Sequence, residues 1–416
     1  MPSNDLSKAA GVLAARIDEL ARVSDERGAT TRTFLSPAMR RANALVGKWM
    51  RKAGLAVCED SVGNLIGRKP SKTAGAKTLL LGSHLDTVGD AGRFDGILGV
   101  LLPIAAIEVM SARRVEFPFS LEVLGFSEEE GVRFSSAYLG SKGYTGTLRA
   151  SDVRLRDAKG IAVADALAEL NGHRLPLPAP AHKSSELLGY VEVHIEQGPV
   201  LEAKGLAAGV VSAIAGQTRS KVTFTGKAGH AGTTPMAMRR DALAASAEFI
   251  LAAEKLARNS KPLVATVGRI SAHPGAANVI PGSVEFSVDV RHPADRLRLS
   301  ALKKLTTIGK GIAKKRGLSF SSEVTQDNKA VTCSAELTAV LAKSVAKVQG
   351  RSFSLPSGAG HDGVILSKVT PVSMLFVRCR DGLSHHPDEH VEPKDLGTAL
   401  EIMVDFLTRM ALGAGK

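Results

Sequence analysis

The chain has little cysteine, few aromatic residues and no long apolar run. Its three cysteines, Cys58, Cys333 and Cys379, are scattered among 416 residues without a CxxC pair, which argues against a disulfide framework or a thiolate metal site. No stretch approaches the roughly 18 consecutive apolar residues that a membrane helix needs. The first residues mix charged and apolar side chains, unlike a signal peptide. We therefore expect a cytoplasmic protein that does not insert into membranes.

Positive charge, in contrast, is abundant. Lysine and arginine outnumber the acids to give a net charge of +13, which raises the hypothesis of nucleic-acid binding. However, the basic residues are spread along helix-like stretches such as 296–317, and only 4% of the chain is aromatic and able to stack on bases. We therefore predict no nucleic-acid partner. The excess charge instead favours a small anionic substrate, such as one that carries a carboxylate.

The order of the expected elements indicates two domains. At 416 residues the chain exceeds one ordinary hydrophobic core. Helix and strand patterns alternate in the first part, and near residue 215 the order becomes βαββαβ, which is typical of a ferredoxin-like fold. The first pattern resumes near residue 330. We predict an α/β catalytic domain with a mixed sheet over 1–214 and 330–416, and an inserted α+β domain over 215–329.

Five separated segments place imidazole and carboxylate side chains beside glycine or proline, several of them at the ends of apolar runs. They are GSHLDTV at 82–88, RFDGILGV at 93–100, FSEEEGVRF at 126–134, HIEQGP at 194–199 and LSHHPDE at 383–389. Mixed nitrogen and oxygen ligands suit zinc, manganese, cobalt or nickel, and the lack of cysteine argues against a closed structural zinc site. The pattern predicts a catalytic metal site.

The first two segments offer a histidine and two aspartates. His84 follows an apolar run, and Asp86 lies on the same face if the strand continues, where it can accept the other imidazole N–H and fix the tautomer. Asp95 precedes a helix that begins near Ile97. By itself it is best explained as a helix cap, but beside the other segments we interpret it as a ligand that bridges two cations.

Three consecutive acids, Glu128, Glu129 and Glu130, follow an apolar strand. Their mutual repulsion is costly unless cations relieve it, although a solvated acidic turn is the default for such a run by itself. Metal-dependent hydrolysis needs one carboxylate on the ion and another, free of the ion, that takes a proton from water. Adjacent glutamates can divide these two roles.

The histidines of the last two segments are less specific. His194 lies in an alternating strand, where a lone histidine is more often packed or exposed than a ligand, but its neighbours Glu196 and Gln197 raise its value. His385 and His386 form a pair in a turn, and either one can be the ligand. The side-chain chemistry does not choose between them.

Further motifs occur in order along the chain and define a resemblance. They are EEGVRF (129–134), HIEQGPVLE (194–202), GHAGTTPM (229–236), NVIPG (278–282), DVRH (289–292) and SGAGHD (357–362), all after GSHLDTV. Together they resemble the M20-type, aminoacylase-like metallopeptidase superfamily, in particular its branch of allantoate amidohydrolases, N-carbamoyl-L-amino-acid hydrolases and ureidopropionases. The resemblance implies an aminopeptidase-like catalytic fold, two divalent ions and hydrolysis of linear, non-peptide C–N bonds. Manganese or zinc is expected first, with cobalt and nickel as alternatives.

The resemblance also implies roles for particular residues. The implied metal ligands, with Asp95 bridging, are His84, Asp95, Glu130, His194 and His385. His385 is preferred to His386 because the family pattern is Ser-His, a variable residue and then Pro. The catalytic residues would be Glu129 as general base, Asp86, and His230, which stabilises the oxyanion. The implied substrate-binding residues are Gln197, His230, Asn278, Arg291, Gly358, Ala359, Gly360 and His361.

The inserted domain would act as a lid and dimerisation domain, so that we expect a homodimer. Ala277, Gly363 and Asp381 depart from the family pattern; none removes a ligand, and they bear on the shape of the pocket. Allantoate is the preferred substrate and N-carbamoyl-L-amino acids are the alternative, followed by another amide or an aromatic amine. Two other hypotheses are a dipeptide exopeptidase and a nonenzymatic basic binding protein. The intact Glu129 and the complete ligand set count against the latter.

Overall fold

A computed structural model describes residues 4–413 of the protein. By their packing these residues form two units. The first comprises the chain up to Ser212, Cys333–Leu355 and the chain from Ala359, and the second comprises Ala213–Thr332 with Pro356–Gly358. None of the helices between residues 4 and 413 combines the length and apolar character needed to cross a membrane.

Helices and strands alternate along most of the chain, as its periodicity predicts. The helices are α1 (Asn4–Ala21), α2 (Pro37–Lys52), α3 (Ile97–Ala112), α4 (Leu139–Tyr144), α5 (Ala150–Val153), α6 (Val163–Asn171), α7 (Val200–Ala203), α8 (Ala242–Arg258), α9 (Asp295–Arg316), α10 (Ala335–Gln349), α11 (Gly363–Leu366) and α12 (Pro393–Ala411). The strands are β1 (Ala56–Glu59), β2 (Leu65–Lys69), β3 (Thr78–His84), β4 (Ser120–Phe126), β5 (Leu187–Ile195), β6 (Ala208–Ile214), β7 (Gly216–Thr225), β8 (Gly229–His230), β9 (Val264–Thr266), β10 (Ile270–His273), β11 (Val279–Ile280), β12 (Ser283–His292), β13 (Ser319–Asn328), β14 (Val331–Thr332), β15 (Ser354–Ser357) and β16 (Val372–Val377). Short 3-10 helices cover Ser184–Glu186, Met236–Met238 and Arg380–Gly382.

Three of the long helices begin at a side chain that caps them. Ser36, Asp241 and Ser334 each accept a hydrogen bond from a backbone N–H in the first turn of α2, α8 and α10. Pro37 occupies the first turn of α2, where its missing N–H costs nothing. These caps satisfy donors that the helix itself leaves unpaired, and each contributes about 1 kcal/mol.

A central mixed sheet forms the first unit, which confirms the predicted α/β class. Its strands lie in the order β1-β2-β4-β3-β5-β16-β6. The four central strands β4, β3, β5 and β16 are mutually parallel, and β1, β2 and β6 pair in the antiparallel sense. Every residue of β3, β4 and β16 is buried, as expected for parallel strands that are covered on both faces. The carboxyl ends of these strands therefore meet at one edge of the sheet.

Helix α3 is the apolar centre of the first unit. It packs against α1, α2 and α12 and against the central strands, and its residues are buried nearly all round. Gly99 makes the close approach possible, because a Cβ atom at this position would lie 2.2 Å from the backbone oxygen of Val193 in β5. The start of α3, next to Asp95, is thereby fixed against the sheet.

The second unit is an antiparallel sheet with two helices. Its strands lie in the order β10-β12-β7-β13, with β9 also paired to β12. Helices α8 and α9 cover one face, where Phe224, Phe249 and Phe286 form the core. The sequence predicts one strand over 263–270, but the structure divides it into β9 and β10. Between the two strands, residues 267–269 face only residues 287–288 of β12, so the register shifts by one residue, and the N–H of Arg269 donates to the side-chain oxygen of Ser287.

Two helical glycines of the first unit should respond in opposite ways to alanine. Gly99→Ala should lower the free energy of unfolding by about 1–3 kcal/mol, because the backbone of α3 or β5 must move. Gly11→Ala, on the exposed face of α1 with no atom within 4 Å of the new methyl group, should raise it by about 0.5–1 kcal/mol. Urea unfolding measures both changes, and an unchanged Gly99→Ala variant would show that the contact is not tight.

Candidate metal centre

The parallel strands bring the predicted segments together. His84 is the last residue of β3, Glu128–Glu130 directly follow β4, and His194 lies one residue before the end of β5. The carboxyl edge of a parallel sheet is where α/β proteins bind their ligands. The strand order β4-β3-β5 thus places three of the five segments side by side at this edge.

Two buried histidines face one oxygen of Asp95. Nδ1 of His84 donates to the backbone oxygen of Asp86 at 3.0 Å, and Nδ1 of His194 donates to that of Ile195 at 2.9 Å. Because a carbonyl can only accept, each Nδ1 carries a proton and each Nε2 is free to act as a ligand. These Nε2 atoms lie 3.6 Å and 3.0 Å from Oδ1 of Asp95. The lone pairs of both Nε2 atoms and of Oδ1 therefore face one another, and they repel unless a cation or a proton lies between them.

A second group forms around the other oxygen of Asp95. Nε2 of His385 lies 3.1 Å from Oδ2 of Asp95 and 3.6 Å from Oε1 of Glu130. The neighbouring His386 instead has its Nδ1 3.7 Å from the exposed carboxylate of Asp388. Asp95 therefore belongs to both groups and directs one oxygen to each. Of the two adjacent histidines, the structure brings His385 to this cluster.

The position of Asp95 is set by a glycine. Gly96, with φ at 71°, is the N-cap residue of α3, and a Cβ atom there would lie 2.4 Å from the imidazole of His84. Glycine is therefore required both by the left-handed backbone and by the close ring. Instead of capping α3, the carboxylate of Asp95 points at the histidines, which favours the ligand interpretation.

The carboxylate of Asp86 holds the glutamate turn. It accepts hydrogen bonds from the backbone N–H groups of Glu129, at 3.0 and 3.1 Å, and Glu130, at 3.1 Å. The carboxylate oxygen Oδ1 of Asp86 lies 3.5 Å from Nδ1 of His84, whereas the backbone oxygen of Asp86 lies only 3.0 Å from it. Asp86 thus fixes the tautomer of His84 chiefly through the main chain, which the sequence did not indicate. The side chain of Glu129 lies in a third group with His84 and Glu130.

Burial and proximity shift the pKa values of this cluster. Burial acts to raise the pKa of Asp95, but hydrogen bonds from His194, His385 and His84 outweigh it and hold that pKa well below its usual range. The hydrogen bond to Asp95 raises the pKa of His385 to about 9. Burial raises the pKa of Glu130 to about 7 and that of Glu129 well above its ordinary value. Metal-free, the cluster therefore holds protons that a divalent cation would replace.

Gln197, predicted as a substrate-binding residue, lies against the metal cluster. Its Nε2 donates to Oδ2 of Asp95 at 2.9 Å and lies 3.4 Å from Nε2 of His385. Ser384 and Glu389 complete this region, and neither was predicted from the sequence. They lie within the quoted segment 383–389, but a serine or glutamate in a turn is normally solvated, so only the fold indicates their place.

His361 packs behind the cluster. Its ring centroid is 4.6 Å from that of His194, and it follows Ala359 and Gly360 in the first unit. Burial lowers the pKa of His361 well below its ordinary value, so that the imidazole is neutral. A neutral, buried imidazole adds no charge to the region.

The remaining predicted substrate residues belong to the second unit. There, β8 pairs with β11, and the N–H of Ala231 donates to the backbone oxygen of Asn278 at 2.9 Å, so His230 and Asn278 are neighbours. The Arg291 guanidinium donates from Nε and Nη2 to Asp289, at 2.8 and 3.0 Å, and from Nη1 to the carbonyl of Gly358 at 2.7 Å. Of its five N–H groups, one on each terminal nitrogen remains for a ligand.

Known proteins resemble the chain over nearly its whole length. The family model of peptidase family M20/M25/M40 matches residues 80–409. Allantoate deiminase of Arabidopsis thaliana is 43% identical over 94% of this chain and 81% of its own. N-carbamoyl-L-amino acid amidohydrolase of Geobacillus stearothermophilus is 40% identical over 96% of this chain and 98% of its own. A crystal structure of a hydantoinase/carbamoylase family amidase from Burkholderia multivorans has a TM-score of 0.90 at 32% identity and covers 97% and 98% of the two chains.

The matched region contains the whole cluster. It begins before His84 and ends after His385, so it includes every residue that the two Asp95 groups bring together. The cluster can hold a metal ion, while the individual roles of its residues stay predictions. Similarity of this extent decides the family and the class of reaction: the chain belongs to peptidase family M20/M25/M40 and is a hydrolase that acts on non-peptide amide bonds.

Proposed function

We propose that the protein is an allantoate amidohydrolase, which converts allantoate and water to ureidoglycine, ammonia and carbon dioxide. The observation that carries the hydrolytic chemistry is the Asp95 carboxylate, whose two oxygens face His84 and His194 on one side and His385 on the other. The 43% identity to a protein named allantoate deiminase supports the substrate. The alternative is an N-carbamoyl-L-amino-acid hydrolase, favoured by 40% identity over 98% of such a protein.

We infer that two divalent ions occupy the cluster. His84, His194 and Asp95 would hold one, and Asp95, Glu130 and His385 the other, because these are the groups whose ligand atoms converge. Imidazole and carboxylate ligands suit manganese or zinc, with cobalt and nickel as alternatives. When bound, such ions supply Lewis acidity to the amide carbonyl and lower the pKa of the attacking water.

Glu129 is the proposed general base. Its buried carboxylate lies beside His84 and Glu130, and Asp86 holds the backbone from which the side chain extends. Burial raises its pKa, so the carboxylate is a stronger base in its ionised form. Glu129 would take the proton of the attacking water and pass it to the departing nitrogen as the C–N bond breaks.

The second unit is the proposed lid and dimerisation domain. The two N–H groups left free on Arg291 suit the carboxylate of the substrate, since the contacts to Asp289 and Gly358 hold the guanidinium in place. Asn278 would add a neutral donor, and His230 on the adjacent strand would stabilise the oxyanion. A homodimer formed through this unit is part of the same proposal.

A panel of substrates tests the function. Manganese-loaded protein is offered allantoate, N-carbamoyl-L-amino acids, N-acyl amino acids and dipeptides in parallel, and the release of ammonia and free amine is measured. We expect the highest kcat/KM for allantoate. Activity confined to the carbamoyl amino acids would establish the alternative, and activity confined to dipeptides would contradict both proposals.

Removing the proposed base should separate catalysis from metal binding. Glu129→Gln keeps the size of the side chain but cannot accept the proton, so turnover should fall about 100- to 10,000-fold. Metal content, measured by atomic emission, should stay at the wild-type value. The exposed Glu336→Gln on α10 is the matched control and should retain full activity. Normal turnover of Glu129→Gln would refute the assignment.

Metal affinity should depend on pH in a defined direction. Because the pKa of His385 in the metal-free cluster is about 9, a cation that binds below this pH must displace a proton. The affinity for Mn²⁺ should therefore fall as the pH is lowered from about 9 to about 6, up to tenfold per unit for each proton displaced. Calorimetry in buffers of different ionisation enthalpy measures the protons released.

The adjacent histidines provide the matched pair for this experiment. His385→Ala should weaken the pH dependence and lose one equivalent of Mn²⁺, because its imidazole lies in the second Asp95 group. His386→Ala should keep the wild-type profile, because its imidazole faces the exposed Asp388. The opposite result for the pair would assign His386 as the ligand.

A further inference from the structure

We propose that Glu389 is a positioning residue that orients the Asp95 carboxylate, and that it serves the second cation group, Asp95, Glu130 and His385, more than the first. The inference rests on the two-ion arrangement of the proposed function, and it adds a residue outside the set of ligands. Its basis is a chain of hydrogen bonds between the 383–389 segment and the start of α3.

Glu389 fixes the backbone that carries Asp95. Glu389 is only 2% exposed, and its Oε1 accepts hydrogen bonds from the N–H groups of Phe94, at 2.9 Å, and Asp95, at 3.1 Å. These two donors lie just before α3, where the helix does not supply acceptors for them. The buried acid thus sets where the Asp95 side chain leaves the backbone.

Glu389 also reaches the carboxylate of Asp95 through Ser384. The hydroxyl oxygen of Ser384 lies 2.9 Å from Oε2 of Glu389 and 2.9 Å from Oδ2 of Asp95. This second connection involves the oxygen that faces His385, not the oxygen that faces His84 and His194. The hydroxyl of Ser384 donates its single proton to one of these two oxygens at a time, so Glu389 holds the backbone of Asp95 directly and shares with Oδ2 of Asp95 the hydrogen bond of Ser384.

The two cation groups differ in how firmly their other members are held. His84 and His194 are buried and each is fixed by a backbone carbonyl. The side chain of His385, in contrast, is 48% exposed and lies on the same loop as Ser384. Oδ2 of Asp95 is held by Ser384 of the 383–389 segment and by Nε2 of Gln197, and the same segment also supplies the histidine of the second group. Loss of Glu389 should affect it first.

The neighbouring acid provides a matched control. Asp388 precedes Glu389 in the same turn, and its side chain is 83% exposed. Asp388→Ala and Glu389→Ala remove a carboxylate from adjacent positions, but only the latter removes one that accepts from Phe94 and Asp95. Glu389→Gln is the conservative variant, since its amide oxygen can still accept these hydrogen bonds and its amino group can donate to Ser384.

The experiment is a calorimetric titration of metal-stripped, full-length protein with Mn²⁺, which needs no substrate. Wild-type protein should bind two equivalents. Glu389→Ala should weaken the affinity for the second Mn²⁺ about 10- to 100-fold, which is the usual effect of removing a group that orients a ligand, and the affinity for the first by less than about threefold. Ser384→Ala should shift the second equivalent in the same direction by a smaller factor. Glu389→Gln should recover most of the affinity, and Asp388→Ala should match the wild type.

Each other outcome would overturn the inference. Equal weakening of both equivalents would assign Glu389 a general structural role, and unchanged binding in Glu389→Ala would remove any role. If Glu389→Ala does not fold, as judged by its thermal transition, Ser384→Ala decides the question. A wild-type protein that binds no Mn²⁺ would refute the metal centre itself, whereas normal metal binding without allantoate hydrolysis would refute only the proposed substrate.

Discussion

The concentration of buried negative charge at the carboxyl edge of the sheet is the constraint on which the rest of the site depends. Asp86, Asp95, Glu128 and Glu129 are all buried there, with Glu130 beside them. Carboxylates removed from water repel one another and lose their hydration, so they need cations, protons or several N–H donors. The structure supplies imidazoles around Asp95 and backbone N–H groups around Asp86. The cluster is therefore arranged for cations and is costly without them.

The fold and the metal-binding segments could largely be predicted because both follow from local patterns. The period of apolar residues indicates the helices and the buried strands, and the end of an apolar run marks the carboxyl edge where His84 and the glutamates lie. The division of 263–270 into β9 and β10 could not be predicted, because it coincides with a shift of one residue in the pairing with β12, a strand distant in the chain. In this stretch, pairing with a distant strand overrides the local apolar pattern that predicts one continuous strand.

The same limit applies within the site. Whether Asp95 caps α3 or faces the histidines depends on the path of β3 and β5, and sequence spacing does not contain this information. Arg291 donates to Asp289, which is only two residues away in the chain. The orientation of its guanidinium also depends on the distant Gly358, whose carbonyl accepts from Nη1. Glu389 was present in a quoted motif, but its burial became evident only with the fold.

The distance along the chain between Asp95 and its supports has a consequence for biosynthesis. The hydrogen bonds from Phe94 and Asp95 to Glu389 join residues almost 300 positions apart, and His385 comes from the same late segment. The ribosome delivers the N-terminal part of the chain first, so the acidic edge of the sheet emerges long before the residues that complete it. The proposed second cation group therefore cannot assemble until the 383–389 segment has emerged. Metal uptake at this proposed group would consequently be a late event, and its occupancy would report that the 383–389 segment has reached its place.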